Sequence, residues 1–532
     1  MAVRSKPITM AAAKYLAYGG PRPTNHESTP PCLSVTALAI ALLLLPLSLF
    51  PYSHSTLKGT PEWDATRAQG GRRGPPLRFS TLQVALESDA APVKLPSTRF
   101  ESLLLPNGLR ALFVEDHTVP VVDVQVWYHV GSKDEPPGQT GFAHFFEHLM
   151  FEGTRNLGPD EFSNYIVRVG GVDNAYTTED TTVFWETVPS SYLPVALWLE
   201  ADRMRGLDIT EKIFKNEREV VKEERRQRFD NQPYGMVVEA LYEHAFTVHP
   251  YRHMPIGSME DLDRATADEV RSFYDTYYLP NNATLVIVGD FETRAGKSLV
   301  QDYFGRLPAG PTIVRNVSVE PPQTGKRVVK LTQDVALPAF VEGFHMPADG
   351  TSDAYPLRLA AKILAEGDSS RIHRRLVYDK QIALQAESEG NFTEDPNLFF
   401  VLGVMNAGYS PAAGEAEVEA ELQRLKSEPV TPRELEKAKN QILRDFILSR
   451  QSAQSRGDQL GYAAVVLKDP DLLDKELARF LAVTSEEIQR VATKYFVPEN
   501  VTVVEVYPEK NVGPGLAPAK ADPRVGPTTI GQ

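Results

Sequence analysis

A single cysteine, Cys32, stands in a chain of 532 residues, so neither an intramolecular disulfide nor a cysteine-based zinc or iron–sulfur site can be built. Any metal must be held by His, Asp and Glu. Positive charge is also short. Lys plus Arg number 56 against 70 Asp plus Glu, which leaves −14 with no long basic run. Phosphate backbones are bound by clustered Lys and Arg, so nucleic acid is a poor fit as a partner. There is no collagen period, and 42% of the residues are hydrophobic, which excludes a wholly disordered chain. The length allows roughly three domains.

What is present begins at the N-terminus. Leu33 to Phe50 form an uncharged apolar stretch, preceded by Arg4, Lys6, Lys14 and Arg22 against the single acid Glu27. Bases first and an apolar run second is the order of a secretory signal or a signal anchor, at the short end of what spans a bilayer. No Ala-x-Ala site follows, so residues 1–50 are expected to act as signal peptide or anchor, and export is expected either way. Any membrane contact would come from this segment. Residues 51–97 are rich in Pro, Gly and Ser and read as a flexible tether, and 508–532 read as a disordered tail.

Between tether and tail the chain repeats itself. TADEVRSFYDTYYLPNNATLV from Thr266 aligns without a gap on TSEEIQRVATKYFVPENVTVV from Thr484, so that Pro280 falls on Pro498 and Asn282 on Asn500. LMFEG from Leu149 also resembles ILAEG from Ile363. Two units are therefore expected, 98–306 and 325–507, joined by a Pro-rich linker, 307–324. Within the first, Leu109–Val130 alternates as strands do, and helical periods follow at Gly141–Phe151, Pro159–Val169, Ser191–Met204 and Glu211–Phe229. The fold class is α+β, with a mixed, mainly antiparallel sheet in each unit and helices packed on one face.

The segment GFAHFFEHLMFEGT, Gly141–Thr154, carries the chemistry. His144 and His148 are four apart and share one helical face, with Glu147 beside them. H-x-x-E-H is the inverted zincin order. Zinc takes neutral imidazoles and a third protein ligand and leaves one position for water, whose proton a neighbouring carboxylate can accept. In an apolar helix, two imidazoles and a carboxylate without partners are costly to bury. A second helical segment, EKIFKNEREVVKEERRQRFD from Glu211, offers further ligands. Glu217, Val220, Val221 and Glu224 occupy i, i+3, i+4 and i+7, so inward-facing valines would carry both carboxylates inward. Glu219 and Glu223 read as solvated.

HFFEH, then Glu224 downstream within E-R-x-V-V-x-E-E, and GGVDNAYTTEDTTVF at Gly170–Phe184 resemble the pitrilysin (M16) family of zinc metallopeptidases, which includes mitochondrial processing peptidase, insulin-degrading enzyme and bacterial peptidases. The resemblance spans about Arg99 to Tyr507. It implies two homologous pitrilysin-like domains and one zinc ion per chain on His144, His148 and Glu224. It also implies Glu147 as general base and Glu217 as a carboxylate that orients a ligand. The segment from Val172 would be an edge strand that accepts the substrate peptide at Asn174 and Ala175, although an ordinary core strand fits it equally well. For a bacterial member, the address would be the periplasm or a membrane anchor facing it.

The chain departs from the family in two places. Aligning LMFEG with ILAEG puts Arg358, Ala361 and Lys362 where His144, Glu147 and His148 stand, so the second unit is expected to have lost its metal site. Relatives also resemble S-S-R-L-Y-x-R-L-R-x-x-x-G-L-A-Y, whose last Arg and Tyr hold the substrate backbone. Here SSRIHRRLVYDKQIAL, Ser369–Leu384, puts Val377 and Leu384 there, with Arg371 and Tyr378 as substitutes only if the register shifts. The expected partners are peptide substrates and a homologous subunit that supplies the missing Arg and Tyr as a heterodimer, with a homodimer as the alternative. A zinc endopeptidase is the leading function. A non-catalytic structural relative and a peptide-capture module compete with it.

Overall fold

The computed structural model describes residues 98–315 and 317–509. The expected export segment, the tether and the tail from 510 onward lie outside the described residues, among which no helix is long and apolar enough to cross a membrane. Two sheets organise the chain. The first contains β1 (Glu101–Leu104), β2 (Arg110–Glu115), β3 (Val121–Tyr128), β4 (Val172–Thr177), β5 (Thr182–Pro189) and β6 (Ala283–Gly289), in the order β1-β2-β6-β3-β5-β4. The second contains β7 (Arg327–Gln333), β8 (Ala339–Met346), β9 (Ala383–Gly390), β10 (Asn397–Met405) and β11 (Val501–Pro508), in the order β7-β11-β8-β10-β9. One pair in each sheet is parallel, β2 with β6 and β7 with β11, and the rest are antiparallel. β8 begins and ends at the same offset from β3 as Thr484 has from Thr266, so the repeat seen in the sequence is a repeat of strand positions.

The helices used below are α1 (Phe142–Leu149), α2 (Glu211–Arg225), α3 (Val237–Ala245), α4 (Ala354–Ala365), α5 (Pro432–Leu448) and α6 (Ala453–Val465). One face of the first sheet packs its own helices, with Val122, Val124, Val126 and Tyr128 of β3 in that core. Asp123 and Gln125 alternate with them and would suit a solvated face, yet both are fully buried. The cover is α6, a helix of the second unit, which with Trp127, Leu112, Val286 and Val288 makes a separate apolar cluster. Reciprocally, α3 of the first unit lies across β8 and β11 of the second sheet.

The two crossings use opposite shapes. Gly343 of β8 leaves room for Leu241 of α3: a Cβ there would come within 2.9 Å of the leucine. On α6 it is the helix that is smooth. A Cβ at Gly457 would lie 2.5 Å from the Gln125 amide nitrogen, and one at Gly461 would overlap Trp127. Polar groups complete the contact. Gln125 donates to the Gln454 carbonyl at 2.8 Å and to Asp123 at 2.9 Å, and accepts from Trp127 Nε1 at 2.8 Å. The Pro-rich linker is tied down rather than loose. Arg315 reaches Asp134 and Asn282, and the Glu320 carboxylate accepts the backbone N–H groups of Thr247, Val248 and His249. The turn before β10 also docks on the first unit. Buried Lys133 holds Asp180 at 2.8 Å, Glu394 at 2.6 Å and Asp395 at 3.2 Å.

Asp123 and Asp458 face each other across the α6 crossing with no Lys or Arg bonded to either among the described residues. Their partners are Thr187 and Gln125 for the first, and Gln125, Gln454 and Tyr176 for the second. Burial raises Asp123 to about 7. Burial, and then the charge of Asp123, raises Asp458 to about 8. A carboxyl raised above its unfolded value near 4 contributes stability that is complete below that value and is lost as pH rises through the folded one. Urea unfolding at about pH 5.5 and about pH 8.5 should therefore show the wild type weakening, whereas an Asp123→Asn/Asp458→Asn variant gains on it at the higher pH by on the order of 1–3 kcal/mol. Parallel pH profiles for the two proteins would rule out this origin.

Candidate metal centre

The helix α1 is held at its N-terminus by unusually close backbone contact. Gly141 has φ +92°, and a Cβ there would lie 2.8 Å from the Ile256 carbonyl; one at Gly257 would overlap the Gly141 backbone. The buried Glu135 carboxylate accepts the Gly141 and Ala143 N–H groups, each at 2.8 Å, and meets His253 Nε2 at 2.9 Å. A carboxylate at a helix N-terminus also complements the macrodipole. Phe142, Phe145, Phe146 and Leu149 are buried in the core, with Phe146 against Phe273 and Tyr278. The remaining face carries His144, Glu147 and His148 towards α2 and β4.

On α2, Thr210 caps the N-terminus by accepting the Ile213 N–H at 3.2 Å. The buried face includes Phe214, Glu217, Val221 and Glu224, and Phe214 packs on Phe145 of α1. Val220 is corrected by the structure. It is 40% exposed, because a helix turns ~100° per residue and Val221 has the inward position. Both carboxylates still point inward. Glu223 is exposed and paired with Arg226 and Gln227.

The ligand-type atoms of His144, His148 and Glu224 all lie within 4.8 Å of one another. Glu224 Oε2 is 3.4 Å from His144 Nε2 and 3.2 Å from His148 Nε2, and the two rings are 4.9 Å apart. The Nδ1 atoms face outward, His144 to Glu147 at 3.4 Å and His148 to Glu217 at 3.7 Å. Thr177 at the end of β4 donates to Glu147 Oε2 at 2.8 Å, and Arg228 holds Glu224 Oε1 at 2.9 Å. Glu135, Thr177 and Arg228 escaped the reading of the sequence, since no local period marks them.

Burial alone would raise the Glu224 carboxyl, but the two imidazoles beside it outweigh that and hold it far below the ordinary carboxylate range. Burial would lower His148, yet Glu217 and Glu224 raise it to about 10. Three carboxylates around two rings make a site that favours a cation. His144 Nε2 is buried with no hydrogen-bond partner, a costly state that a divalent ion on its lone pair would relieve. Two imidazole nitrogens and one carboxylate oxygen suit zinc. A second group, Glu115, His117 and Glu292, is exposed, and His117 already meets Glu115 and Asp290.

In the second unit, α4 packs on α5 as α1 does on α2. Arg358 bonds Asp349 at 2.7 Å, Ala361 is buried, and Lys362 bonds Glu366 at 2.7 Å and Asp445 of α5 at 2.8 Å. An ion pair stands there in place of a ligand set. The peptide-binding positions separate. β4 pairs only with β5, Asn174 opposite Trp185 and Ala175 opposite Phe184, so its other edge is open among the described residues. Val377 packs against the second core, and Leu384 is 51% exposed on β9. Of the two substitutes, Arg371 is committed to Glu434 through two hydrogen bonds of 2.7 and 3.0 Å, whereas Tyr378 is 55% exposed.

Comparison with known proteins finds matches on both units. Residues 110–256 match the family model described as insulinase (peptidase family M16), and 264–442 match the peptidase M16 inactive domain. The zinc protease PqqE of Helicobacter pylori is 34% identical over 419 residues, 77% of this chain and 93% of that protein. The probable mitochondrial-processing peptidase subunit beta of Arabidopsis thaliana is 24% identical across 81% of this chain and 82% of its own length. Among solved structures, a protease from Helicobacter pylori superposes with a TM-score of 0.75 at 34% identity, over 77% of this chain and 100% of that one.

Neighbouring glutamates on α2 should behave differently. Glu224→Gln is expected to strip or weaken bound metal, and Glu223→Gln to leave it intact. Glu217→Gln should fall between, with affinity lower by about 10–100-fold. Metal content by atomic emission after dialysis checks this; equal occupancy in the Glu223 and Glu224 variants would refute the arrangement.

Proposed function

The chain belongs to the M16 metallopeptidase family, and on that footing we propose that it is a zinc-dependent endopeptidase acting on peptides or extended polypeptide segments. The convergence of His144 Nε2, His148 Nε2 and Glu224 Oε2, with Glu147 alongside, carries this reading. These three residues hold one zinc ion per chain, Glu147 is the general base, and Glu217 and Arg228 orient His148 and Glu224. Zinc bound there supplies Lewis acidity and lowers the pKa of water towards ~7. The Glu147 carboxylate, held at Oε2 by Thr177, accepts the proton and returns it to the leaving amine. The open edge of β4 at Asn174 and Ala175 receives the substrate as an added strand, so main-chain pairing supplies affinity with little side-chain selectivity. The second unit, with Lys362 paired to Asp445, takes no metal.

The chain works as the zinc-bearing half of a heterodimer. Positioning of the scissile segment contributes much of the rate of peptide hydrolysis, and Val377 and Leu384 cannot donate a side-chain hydrogen bond to a peptide carbonyl. A homologous subunit bearing Arg and Tyr at those positions supplies the clamp. The N-terminal segment Leu33–Phe50 directs export, to the periplasm of a bacterial source. A non-catalytic peptide-capture role is the alternative, and stoichiometric zinc without any cleavage would favour it.

Glu147→Gln is expected to retain zinc while turnover of a quenched peptide library falls by ~10²–10⁴-fold or more. Near-normal turnover in that variant would remove Glu147 from the reaction. The purified chain alone should cleave slowly, and co-expression with a homologous chain carrying the Arg and Tyr should raise the rate. Full activity of the isolated chain, unchanged by Tyr378→Phe, would contradict the missing-partner model.

A further inference from the structure

We propose that Thr177 is a positioning residue that couples the docking of a peptide on β4 to the orientation of the Glu147 carboxylate. The inference rests on the reading of Glu147 as general base and deepens it. Thr177 is the last residue of β4, is buried, and pairs with Thr182 of β5. Its hydroxyl donates to Glu147 Oε2 at 2.8 Å, and the nearest other polar contact of that carboxylate is His144 Nδ1 at 3.4 Å. A glutamate has three side-chain torsions, so the shorter bond sets which oxygen is held and which is left free to take a proton.

The strand is built to transmit. The Thr177 hydroxyl is one bond from Cβ on the last residue of β4, so its bond to Glu147 follows the backbone of that strand end. Successive residues point to opposite faces. Ala175 and Thr177 therefore share one face, and Tyr176 between them points to the other, where it packs on Trp127 at 6.1 Å and meets Asp458 of α6. Tyr176 thus rests on the exchanged helix from below, while the hydrogen-bonding edge of β4 stays open from Val172 onward among the described residues. A peptide long enough to pair along that edge would pin the remaining backbone and, through Thr177, the base. A short peptide that reaches only the scissile bond would not. Binding along the strand then appears in kcat and not only in KM, as expected when remote contacts serve the transition state.

The test uses the zinc-loaded full chain, with its partner where one is required. A quenched fluorescent peptide of about ten residues is compared with its truncation to about four. In the wild type, kcat for the long peptide should exceed that for the short one by about 10–100-fold. Thr177→Val should keep one zinc per chain by atomic emission and lose most of that ratio, through a lower kcat on the long peptide with KM changed by less than about threefold. Thr177→Ser, which keeps the hydroxyl, should restore the ratio. A wild-type ratio in Thr177→Val, a change confined to KM, or failure of Thr177→Ser to rescue would overturn the coupling while leaving the peptidase reading intact. Absence of cleavage by the zinc-loaded wild type would overturn both.

Discussion

Each sheet of this chain must have its second face covered by a helix from the other unit, and the rest of the structure depends on that exchange. A sheet with Asp123, Gln125 and Trp127 on one side cannot face water there, because Trp127 and the apolar residues around it need a partner. The partner is α6, which comes close enough only because Gly457 and Gly461 present bare backbone. The matching helix α3 inverts the fit, with Leu241 over Gly343. Gln125 and Gly343 hold the same place in β3 and β8, so Gly457 and Leu241 stand at matching points over the two sheets. Each helix therefore fits one sheet and would clash with, or leave a gap at, the other. The two repeated units are thereby made unlike at their contact, each helix suited to one sheet.

That exchange also bears on the open edge. With both faces of the first sheet occupied, β4 presents its unpaired backbone beside α1, while its Tyr176 is anchored on α6. The metal-type cluster sits on the far side of the same strand end, where Thr177 meets Glu147. One continuous path, helix α6 to β4 to the HxxEH helix, therefore links the packing of the two units to the candidate metal centre. The Lys133 cluster joins the two units through Glu394 and Asp395, and Arg315 and Glu320 pin the linker to the first unit.

Much of this was legible in the sequence, and what was not has a common cause. His144, Glu147 and His148 are marked by local spacing on one helix, and Glu217 and Glu224 by the helical period of another, so the meeting of α1 and α2 could be expected. The repeat was visible because its strands and helices keep one constant offset between the units. Val220 was misplaced because the spacing pattern cannot separate two adjacent valines; Phe214, in line with Glu217 and Val221, settles the face. Asp123 and Gln125 look solvated by alternation alone, and only a helix of the other unit buries them. Glu135, Thr177 and Arg228 likewise acquire their roles from groups that no spacing rule connects to them.

In the second unit the same helix pair is held together without the ligand set. Between α1 and α2, Glu147, Glu217 and Glu224 surround two imidazoles, and Arg228 meets one oxygen of Glu224 while the other faces both rings. Between α4 and α5 a carboxylate also reaches across from the later helix, that of Asp445, but Lys362 meets it with a covalently attached ammonium at 2.8 Å. Arg358 likewise pairs with the half-buried Asp349, which precedes α4. Both units are therefore helix pairs joined across unlike charge. In one, the positive charge is part of the chain and cannot be exchanged. In the other, two imidazoles and Arg228 face the carboxylates, and the imidazole nitrogens are groups that can ligate a metal.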